Sequence, residues 1–470
     1  MRKKTKIIAT ISDRNCEQKL IEDMFNNGLN VVRLNTAHQD FEGSLKVINN
    51  VRSVSDKIAI LIDTKGPEIR TTNVKSPIEV KENDTIYVKG YQGEDSTSKC
   101  LFLTYNNFVD DVNKGNKLLI NDGEVELEIV EKNEDCLKCL VKNTGVIENH
   151  KSINIPGVSI NLPALKQKDI EYINFAIENN VDFIAHSFVR RKEDVIAVKS
   201  LIEARGSKIK IIAKIENQEG VNNIDEILEY VYGVMVARGD LALEIPTEKI
   251  PGIQKMIINK CISLNKPVIV ATQMLHSMIN NPRPTRAEVS DVANAVYDGT
   301  DAIMLSGETA NGKYPLEAVQ MMTRIAKEVE LTTDSFKDNG IKVMSTPEAA
   351  VLTKNIVEAA QVLPMTAIIA DTTSGRTIRG LAAYRGKVTI YAQCYDKHTM
   401  RELSLSYGVH VDYMEPQKTS HEFLKQAIKQ LIKKNTFSLD NTIGVIAGNF
   451  GRAGGASYIE ISSVKNILSE

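Results

Sequence analysis

The sequence predicts an α/β protein: a (β/α)8 TIM barrel of parallel strands, a small antiparallel β-barrel domain inserted into it as a lid, and a C-terminal α/β domain with an open sheet. Three observations predict this. Eight short apolar runs alternate with amphipathic segments. One connection between two of these runs is far longer than usual and alternates between apolar and polar residues. A second series of strands and helices follows a polar stretch that begins at Asp334.

Eight runs have the apolar body and the length of buried strands. They are 5–12, 30–36, 58–64, 181–188, 208–217, 233–240, 266–274 and 300–309. Segments with apolar residues at helical spacing, such as EQKLIEDMFNN and RAEVSDVANAVYDG, lie between them. Eight strands that alternate with helices match the closed parallel barrel.

The remaining patterns define the other two domains. Period-two alternation between Arg70 and Leu162 predicts the inserted β-domain, which would lie at the mouth of the barrel and close over it. We expect the barrel to occupy 1–66 and 163–333, the lid 67–162 and the C-terminal domain 334–470.

Composition excludes several classes of function. The chain of 470 residues has 58 basic and 60 acidic residues, so nothing favours nucleic acid as a partner. No apolar stretch approaches the ~20 residues that span a bilayer, and the basic start MRKKTK leads into the strand-like IIATIS without a signal-peptide core. We therefore expect a cytoplasmic protein without membrane contact, and its six scattered cysteines fit free thiols in a reducing compartment.

Most predicted strands turn polar where they end. The residues concerned are Arg33 and Asn35, Asp63 and Lys65, His186 and Ser187, Lys214 and Glu216, Arg238 and Asp240, Thr272 and Gln273, and Ser306 and Glu308. In a parallel barrel these ends meet at one face, where the active sites of this fold lie. The pattern predicts an active site there.

Two of these strand ends indicate a metal site. Side chains alternate along a strand, so Lys214 and Glu216 are expected on one side, and so are Arg238 and Asp240. Glu216 and Asp240 would then approach each other and need a cation between them, for which Mg²⁺ (or Mn²⁺) suits so small a set of carboxylates. The alternative is a pair of surface salt bridges, one within each pair.

Basic residues around this site predict an anionic guest. Lys214, Arg33 and Arg70 beside a divalent ion would make a strongly cationic pocket in a nearly neutral protein. Phosphoryl transfer requires little more than alignment and charge neutralisation, which a lysine and a metal ion supply. The pattern therefore favours phosphate chemistry.

Several long motifs resemble those of the pyruvate kinase family. They are LIDTKGPEIR, IIAKIENQEG, VMVARGDLALEIP, ATQML and NPRPTRAEVSDVANAVYDGTDAIMLSGETANGKYPLEAV, and the resemblance covers essentially the whole chain. It implies a glycolytic kinase that transfers the phosphoryl group of phosphoenolpyruvate to ADP, giving pyruvate and ATP. It also implies a homotetramer with a regulatory C-terminal domain.

The resemblance implies a role for individual residues. Lys214 and Thr272 would be catalytic together with Arg33, and protonation of the enolate would run through water relayed by Ser306 and Glu308. The remaining assignments are Arg33, Lys214, Gly239, Asp240 and Thr272 for substrate, Glu216 and Asp240 for Mg²⁺, and Asn35, His38, Arg70 and Lys151 for the nucleotide.

A potassium site is implied as well, with one departure. Its ligands would be Asn35, Asp63 and the carbonyl of Thr64, but Ala37 stands where the family has a serine hydroxyl. Glu68 is typical of K⁺-dependent members, so we expect K⁺ activation with weakened affinity. His276 also replaces a commoner glutamate, and its effect stays open.

The C-terminal domain contains a loop suited to phosphate. DTTSGRT follows a predicted strand and opens a helix, so its amides and hydroxyls are candidates for an anion site. The resemblance implies effector binding by Thr372, Thr373, Ser374, Gly375 and Arg376, with Arg452 from a later loop. Fructose 1,6-bisphosphate, a sugar monophosphate and AMP are equally compatible; a plain strand-to-helix turn is the alternative.

Two other functions remain possible from the sequence. One is a different barrel enzyme that handles phosphoenolpyruvate or pyruvate with Mg²⁺, such as an aldolase or carboxylase relative. The other is a non-catalytic metabolite sensor. The inserted lid and Lys214 favour the kinase over the first, and the joint presence of Lys214, Glu216, Asp240 and Thr272 favours it over the second.

Overall fold

A computed structural model describes residues 2–91, 93–333, 340–341, 346–417, 419–434, 436–448 and 455–469. Eight parallel strands close into a barrel in sequence order, and the first strand pairs with both the second and the eighth. The strands are Lys6–Thr10, Leu29–Asn35, Ala59–Asp63, Phe183–His186, Lys210–Ile215, Gly233–Ala237, Val268–Ala271 and Ala302–Leu305. The predicted barrel is confirmed.

Two apolar layers stabilise the barrel because side chains alternate along each strand. Ile8, Phe183 and Met235 point into the barrel interior, where they pack in one buried cluster. Ile7 and Val234 face outward and pack against the surrounding helices in the largest cluster. The barrel is therefore a packed core and not a pore.

Helices surround these strands. They are Gln18–Asn26, Phe41–Val54, Gln167–Glu178, Lys192–Ala204, Gln218–Asn222, Ile224–Tyr230, Arg238–Glu244, Ile250–Ser263, Arg286–Asp298, Gly307–Ala310 and Pro315–Thr332, with 3₁₀ turns at Thr247–Lys249 and His276–Ile279. The Thr285 hydroxyl caps the helix Arg286–Asp298 in a reciprocal pair with Glu288, which fixes where this helix begins.

Several predicted strands are longer than the observed ones, and two of the predicted runs continue into helices. The run 233–240 is a strand only to Ala237, after which Arg238–Glu244 is helical, so Arg238 and Asp240 do not alternate along a strand. The run 300–309 likewise ends its strand at Leu305 and becomes a short helix, Gly307–Ala310. Apolar periodicity does not distinguish a strand from the helical turn that directly continues it.

The inserted segment forms a second closed barrel of seven strands, with a separate two-stranded sheet. Most pairs are antiparallel, as predicted, and one pair is parallel. Its strands are Ile69–Thr72, Ile78–Val80, Thr85–Gly90, Cys100–Leu103, Lys117–Ile120, Val125–Lys132, Leu137–Val141, Gly145–Ile147 and Ser152–Asn154, with a short helix Phe108–Asp111.

The C-terminal domain has the predicted open sheet. Four strands are parallel, Met365–Thr372, Thr389–Cys394, Val409–Tyr413 and Thr442–Gly448, and a fifth, Ala456–Ser463, adds an antiparallel edge that the sequence analysis missed. The helices are Pro347–Val362, Arg376–Ala383, Lys397–Leu403, Ser420–Lys433 and Val464–Ser469. The predicted linker 334–347 and Arg452 lie largely or wholly outside the described residues.

Two further expectations concern the thiols and the membrane. All six cysteines are free, and Cys16, Cys139, Cys261 and Cys394 are buried.

No group of three or more potential metal ligands, His, Cys, Asp or Glu, occurs within the described ranges. Among the helices described there, none has the length and apolar character needed to cross a bilayer.

Candidate active site

Lys214 is at the centre of a buried charge cluster at the C-terminal end of the barrel. Its Nζ lies 3.0 Å from Asp63 Oδ1 and 2.9 Å from Glu216 Oε1, and it donates a 2.7 Å hydrogen bond to Ser187 Oγ. The side chain is only 11% exposed. The ion pair with Glu216 is therefore a buried part of a larger cluster and not an isolated surface salt bridge.

Arg33 from the second barrel strand completes the cationic side of this cluster. Its Nε and Nη2 lie 2.7 and 2.6 Å from Asp63 Oδ2, and its Nη1 donates a 2.9 Å bond to Thr10 Oγ1. This forked contact fixes the plane of the guanidinium. Arg33 and Lys214 thus share one carboxylate at the mouth of the barrel.

The carboxylates hold Lys214 in its charged form. Burial alone would lower the pKa of Lys214, but the negative charges of Asp63 and Glu216 outweigh burial and raise it. Burial would raise the pKa of Asp63, and here the charges of Lys214 and Arg33 lower it instead. The site therefore presents a permanent ammonium and a permanent guanidinium.

Glu216 and Asp240 come together as predicted, although Asp240 arrives on a helix. Glu216 Oε2 accepts a 2.6 Å bond from the amide of Phe188, whereas its Oε1 is buried and accepts no hydrogen bond from any described residue. The 2.9 Å approach of Lys214 to Oε1 is an ion pair without hydrogen-bond geometry. The carboxyl groups of Glu216 and Asp240 are in direct contact.

This contact is unfavourable for two ionised groups. Burial, together with the negative charges of Asp240 and Asp63, raises the pKa of Glu216 to about 7 although Lys214 opposes the shift. Burial also raises the pKa of Asp240. Two adjacent carboxyls with raised pKa values and one donor-free oxygen fit a divalent cation, which would remove their repulsion.

Arg238 does not pair with Asp240. Its Nη1 and Nη2 each lie 2.7 Å from one oxygen of Asp291, on the helix Arg286–Asp298. Nη2 also donates a 2.8 Å bond to the carbonyl of Thr272. The arginine of the A-R-G-D motif therefore clamps the end of the seventh strand to a neighbouring helix.

That clamp holds a strained residue. Thr272 has φ +69° and Gln273 has φ +56°, a left-handed conformation that β-branched side chains avoid. The Thr272 hydroxyl donates to the carbonyl of Ala271 at 2.6 Å and accepts from the amide of Gly239 at 2.7 Å. It is thereby fixed beside the helix that carries Asp240.

Glu308 makes structural contacts around Ser306. It is 2% exposed, its Oε1 accepts a 3.1 Å bond from the amide of Leu275, and its Oε2 accepts a 2.7 Å bond from the amide of Ser306. Its carboxylate therefore joins the seventh and eighth strand ends through their backbones.

The candidate nucleotide residues occupy two places. A cavity of about 530 Å³ next to the charge cluster is lined by Arg33, Asn35, His38 and Ser306, among others. Arg70 and Lys151 lie on the lid. There they bind local partners: Arg70 donates to Glu68 and to the carbonyl of His150, and Lys151 Nζ lies 2.9 Å from Glu148.

The predicted potassium ligands already have internal partners. Asn35 Oδ1 accepts a 3.1 Å bond from the amide of Ala37, and the Thr64 carbonyl accepts a 2.7 Å bond from the hydroxyl of Ser187. Asp63 lies between Arg33 and Lys214. These oxygens fit a monovalent cation less well than Glu216 and Asp240 fit a divalent one.

The candidate effector loop is a compact strand-to-helix turn. Gly375 has φ +75°, its amide donates a 2.8 Å bond to Thr372 Oγ1, and the helix begins at Arg376. The side chains of Thr373, Ser374 and Arg376 are exposed on this loop. Arg452 lies outside the described residues.

Three functional contacts were not foreseen from the sequence. Ser187, the amide of Phe188 and Asp291 hold Lys214, Glu216 and Arg238, respectively. Ser187 belonged to a recognised polar strand end, so its position was a usable signal. Asp291 lies in a helix 53 residues from Arg238, and no local pattern indicates that pairing.

Comparisons with known proteins agree with this architecture. A family model described as the pyruvate kinase barrel domain matches residues 2–319, and one described as the pyruvate kinase alpha/beta domain matches residues 351–462. A pyruvate kinase of Borreliella burgdorferi is 47% identical, over 99% of this chain and 98% of that relative. One of Geobacillus stearothermophilus is 41% identical, over 100% of this chain and 82% of that relative.

A solved structure agrees as well. The crystal structure of a pyruvate kinase from Cryptosporidium parvum superimposes with a TM-score of 0.93 at 35% identity, covering 98% of this chain and 96% of that one. The match spans the barrel, the inserted domain and the C-terminal domain together. The resemblance seen in the sequence is confirmed, and the chain belongs to the pyruvate kinase family.

Proposed function

We propose that the mouth of the barrel transfers the phosphoryl group of phosphoenolpyruvate to ADP, giving pyruvate and ATP in the last step of glycolysis. One observation carries the residue-level proposal: Lys214 lies between Asp63 and Glu216, whose Oε1 is buried without a hydrogen-bond donor among the described residues and whose carboxyl group contacts that of Asp240. A fixed cation beside two adjacent carboxyl groups suits an anionic substrate bound together with a metal ion.

Glu216 and Asp240 are the residues that would hold Mg²⁺ or Mn²⁺. Their contact and their raised pKa values support this assignment, since the one ammonium beside them, Lys214, is shared with Asp63 and does not outweigh the effect of their burial. When bound, the metal ion supplies charge neutralisation for the phosphoryl and carboxylate oxygens of the substrate.

Lys214 and Arg33 bind the phosphoryl group. Both keep their charge, and both are held rigidly by Asp63, so little reorganisation accompanies the reaction. The ammonium of Lys214 offsets the negative charge on the phosphoryl oxygens while the phosphoryl group passes from phosphoenolpyruvate to ADP. The amide of Gly239 is already used by Thr272, which limits Gly239 to a shaping role.

Thr272 and Ser306 lie near the site of enolate protonation in this proposal. The rigid Thr272 hydroxyl is one candidate to orient a proton-donating water. For Glu308 the geometry supports positioning, because backbone amides occupy both of its oxygens. A proton relay through Ser306 and Glu308 stays a prediction.

ADP would bind in the cavity lined by Asn35 and His38, with Arg70 and Lys151 added from the lid. Both lid cations now pair with neighbouring glutamates, Glu68 and Glu148. Binding the nucleotide would replace those carboxylates by phosphate oxygens, which are equally good partners for these cations. Closure of the lid would bring both cations over the barrel.

The C-terminal domain would provide the effector site and the surface for subunit assembly. The loop Thr372–Arg376 would bind a phosphate-bearing effector through its amides and hydroxyls. A homotetramer is supported by large apolar side chains left exposed on the C-terminal domain, among them Val351 at 58% and Val362 at 85% exposure.

The deciding experiment supplies phosphoenolpyruvate, ADP, Mg²⁺ and K⁺ and measures pyruvate and ATP. Formation of both in equal amounts is expected. Pyruvate without ATP would favour a different enolate-forming barrel enzyme, and binding of phosphates without turnover would favour a sensor.

A further inference from the structure

A second cavity, of about 340 Å³, lies at the hinge between the lid and the barrel. Its walls include both connections between these domains, near Glu68 and Ile160, and barrel residues Phe188 and Glu244. No residue assigned above to substrate, nucleotide or metal lines it. We call this cavity the hinge crevice, and its volume is typical of small-molecule sites.

The hinge crevice contains two carboxylates that form no ion pair with a described residue, Glu244 and Glu219, and Glu219 accepts a 2.6 Å bond from Ser159 Oγ. Glu244 accepts a long 3.5 Å bond from Asn154 Nδ2 of the lid, and the backbone amide of Gly157 also donates to it. Burial raises its pKa to about 7, and no basic side chain of the described ranges contributes to that shift. A half-buried carboxylate in this state is stabilised by a guest cation.

Two other charged side chains of the crevice, Arg190 and Glu68, already have charged partners. Arg190 forms a forked pair with Asp194 and donates to the carbonyls of Ile160 and Leu162. Glu68 accepts from Arg70 at 2.8 Å. The basic side chain of the crevice is thus neutralised, and the uncompensated charge is negative.

Apolar side chains form much of the remaining lining of the crevice. They are Ile155, Val158, Ile160, Leu162 and Phe188. A guest that satisfies both the carboxylates and the apolar lining carries one positive charge at one end and a short hydrocarbon body at the other. Anionic and strongly polar molecules lack one or both of these features.

We propose that the hinge crevice is a second ligand site that binds a small primary amine with an apolar body. The ammonium group lies on Glu244, and the body packs against the apolar wall. This site is distinct from the phosphoenolpyruvate and nucleotide sites, and its occupancy slows turnover.

Binding in the hinge crevice affects turnover because two of its lining residues, Phe188 and Glu244, connect to Glu216 and Asp240. Phe188 donates its amide hydrogen to Glu216 Oε2 at 2.6 Å, and Glu244 ends the helix Arg238–Glu244 that contains Asp240. A guest also contacts both hinge connections and so resists movement of the lid, which substrate entry and product release require. The expected effect is a lower kcat with little change in the KM for phosphoenolpyruvate.

Phenethylamine tests the proposal, with 2-phenylethanol as the neutral probe of matched shape. Binding to the full chain is measured by titration calorimetry at about pH 8, where the amine is protonated and Glu244 is ionised. We expect one saturable site per chain, about tenfold or more tighter for the amine than for the alcohol. Phosphoenolpyruvate should not displace the amine.

Three variants locate the site. Glu244→Gln should weaken amine binding about tenfold or more, whereas Glu248→Gln, an exposed glutamate outside the crevice, should not change it. Val158→Phe should fill the crevice and abolish amine binding.

Several results would overturn the proposal: no saturable binding to the wild type, equal affinity for amine and alcohol, or Glu244→Gln behaving as wild type. Binding that leaves kcat unchanged would overturn the coupling to turnover. Because calorimetry does not depend on catalysis, these outcomes are separate from any failure of the kinase assignment.

Discussion

Both ends of the barrel contain buried carboxylates, but their oxygens have different partners. At the N-terminal end of the strands, Asp182 is fully buried, and it accepts from Arg52 and the amide of Ile60 through Oδ2 and from Arg401 through Oδ1. At the C-terminal end, Glu216 Oε1 is buried without a donor.

Two other carboxylates at the N-terminal end, Asp301 and Glu330, have partners on both oxygens as Asp182 does. Asp301 accepts from Arg385 and from the amide of Tyr407, both in the C-terminal domain, and Glu330 accepts from the amides of Lys4 and Thr5. Saturated charges at this end therefore hold two domains together. The unsaturated pair at the other end costs stability, and such a cost is expected where a ligand binds.

The largest effect on kcat should follow from removing the Lys214 ammonium at the C-terminal end of the barrel. Lys214→Met should lower kcat by about 1,000-fold or more, because the charge that offsets the phosphoryl group is lost. Steady-state turnover of phosphoenolpyruvate and ADP measures this, with circular dichroism to verify folding. Lys210→Met, on the same strand but paired with Glu402 at the other end, is the matched control and should stay within about threefold. Near-normal turnover of Lys214→Met would refute its role.

Removing a paired carboxylate at the N-terminal end of the barrel should lower stability without changing catalysis. Asp182→Asn should lower the free energy of unfolding by about 3–5 kcal/mol, because it leaves Arg401 and Arg52 without their buried partner. Urea unfolding measures this, and kcat per folded molecule should not change. Asp56→Asn removes a largely exposed pair with Lys397 and should cost less than about 1 kcal/mol. Equal losses from the two variants would contradict the contrast.

The clamp on Thr272 should give a smaller catalytic effect. Asp291→Asn removes a charged partner of Arg238, so the strained Thr272 relaxes and kcat falls about 10- to 100-fold, while the KM for phosphoenolpyruvate changes little. Asp225→Asn, at an exposed pair with Lys260, is the control. A large rise in KM with unchanged kcat would assign Asp291 to binding.

The smallest effect concerns potassium. Ala37→Ser returns a hydroxyl next to Asn35, so the K⁺ concentration for half-maximal activation should fall by about three- to tenfold. Turnover is measured against KCl at constant ionic strength. An unchanged K⁺ requirement would mean that the hydroxyl of residue 37 is not a ligand.

Prediction from sequence succeeded where periodicity and chain order decide the structure. The eight barrel strands, the inserted β-domain and the parallel sheet follow from apolar patterns, and the convergence of Lys214 with Asp63 follows from closing the barrel. The fifth strand of the C-terminal sheet, Ala456–Ser463, was missed because the glycine-rich run before it predicted a loop.

The finer geometry was less accessible from sequence. Asp240 was expected on a strand and lies on a helix, because a local apolar pattern does not reveal where a barrel strand ends. The pairing of Arg238 with Asp291 and the left-handed Thr272 depend on tertiary packing, which overrides local preference.

The central claim is that Glu216 and Asp240 form a divalent cation site. The pKa of Glu216 is raised to about 7 in the folded protein, so the stability contributed by its protonated form is lost as pH rises through 7. Mg²⁺ requires both carboxylates ionised and should restore this stability.

Thermal unfolding with and without Mg²⁺, at about pH 5.5 and about pH 8, tests this directly. We predict a rise in Tm with Mg²⁺ that is clear at the higher pH, small at the lower pH and absent in Asp240→Asn. A rise in Tm that is equal at both pH values, or that persists in Asp240→Asn, would contradict the account.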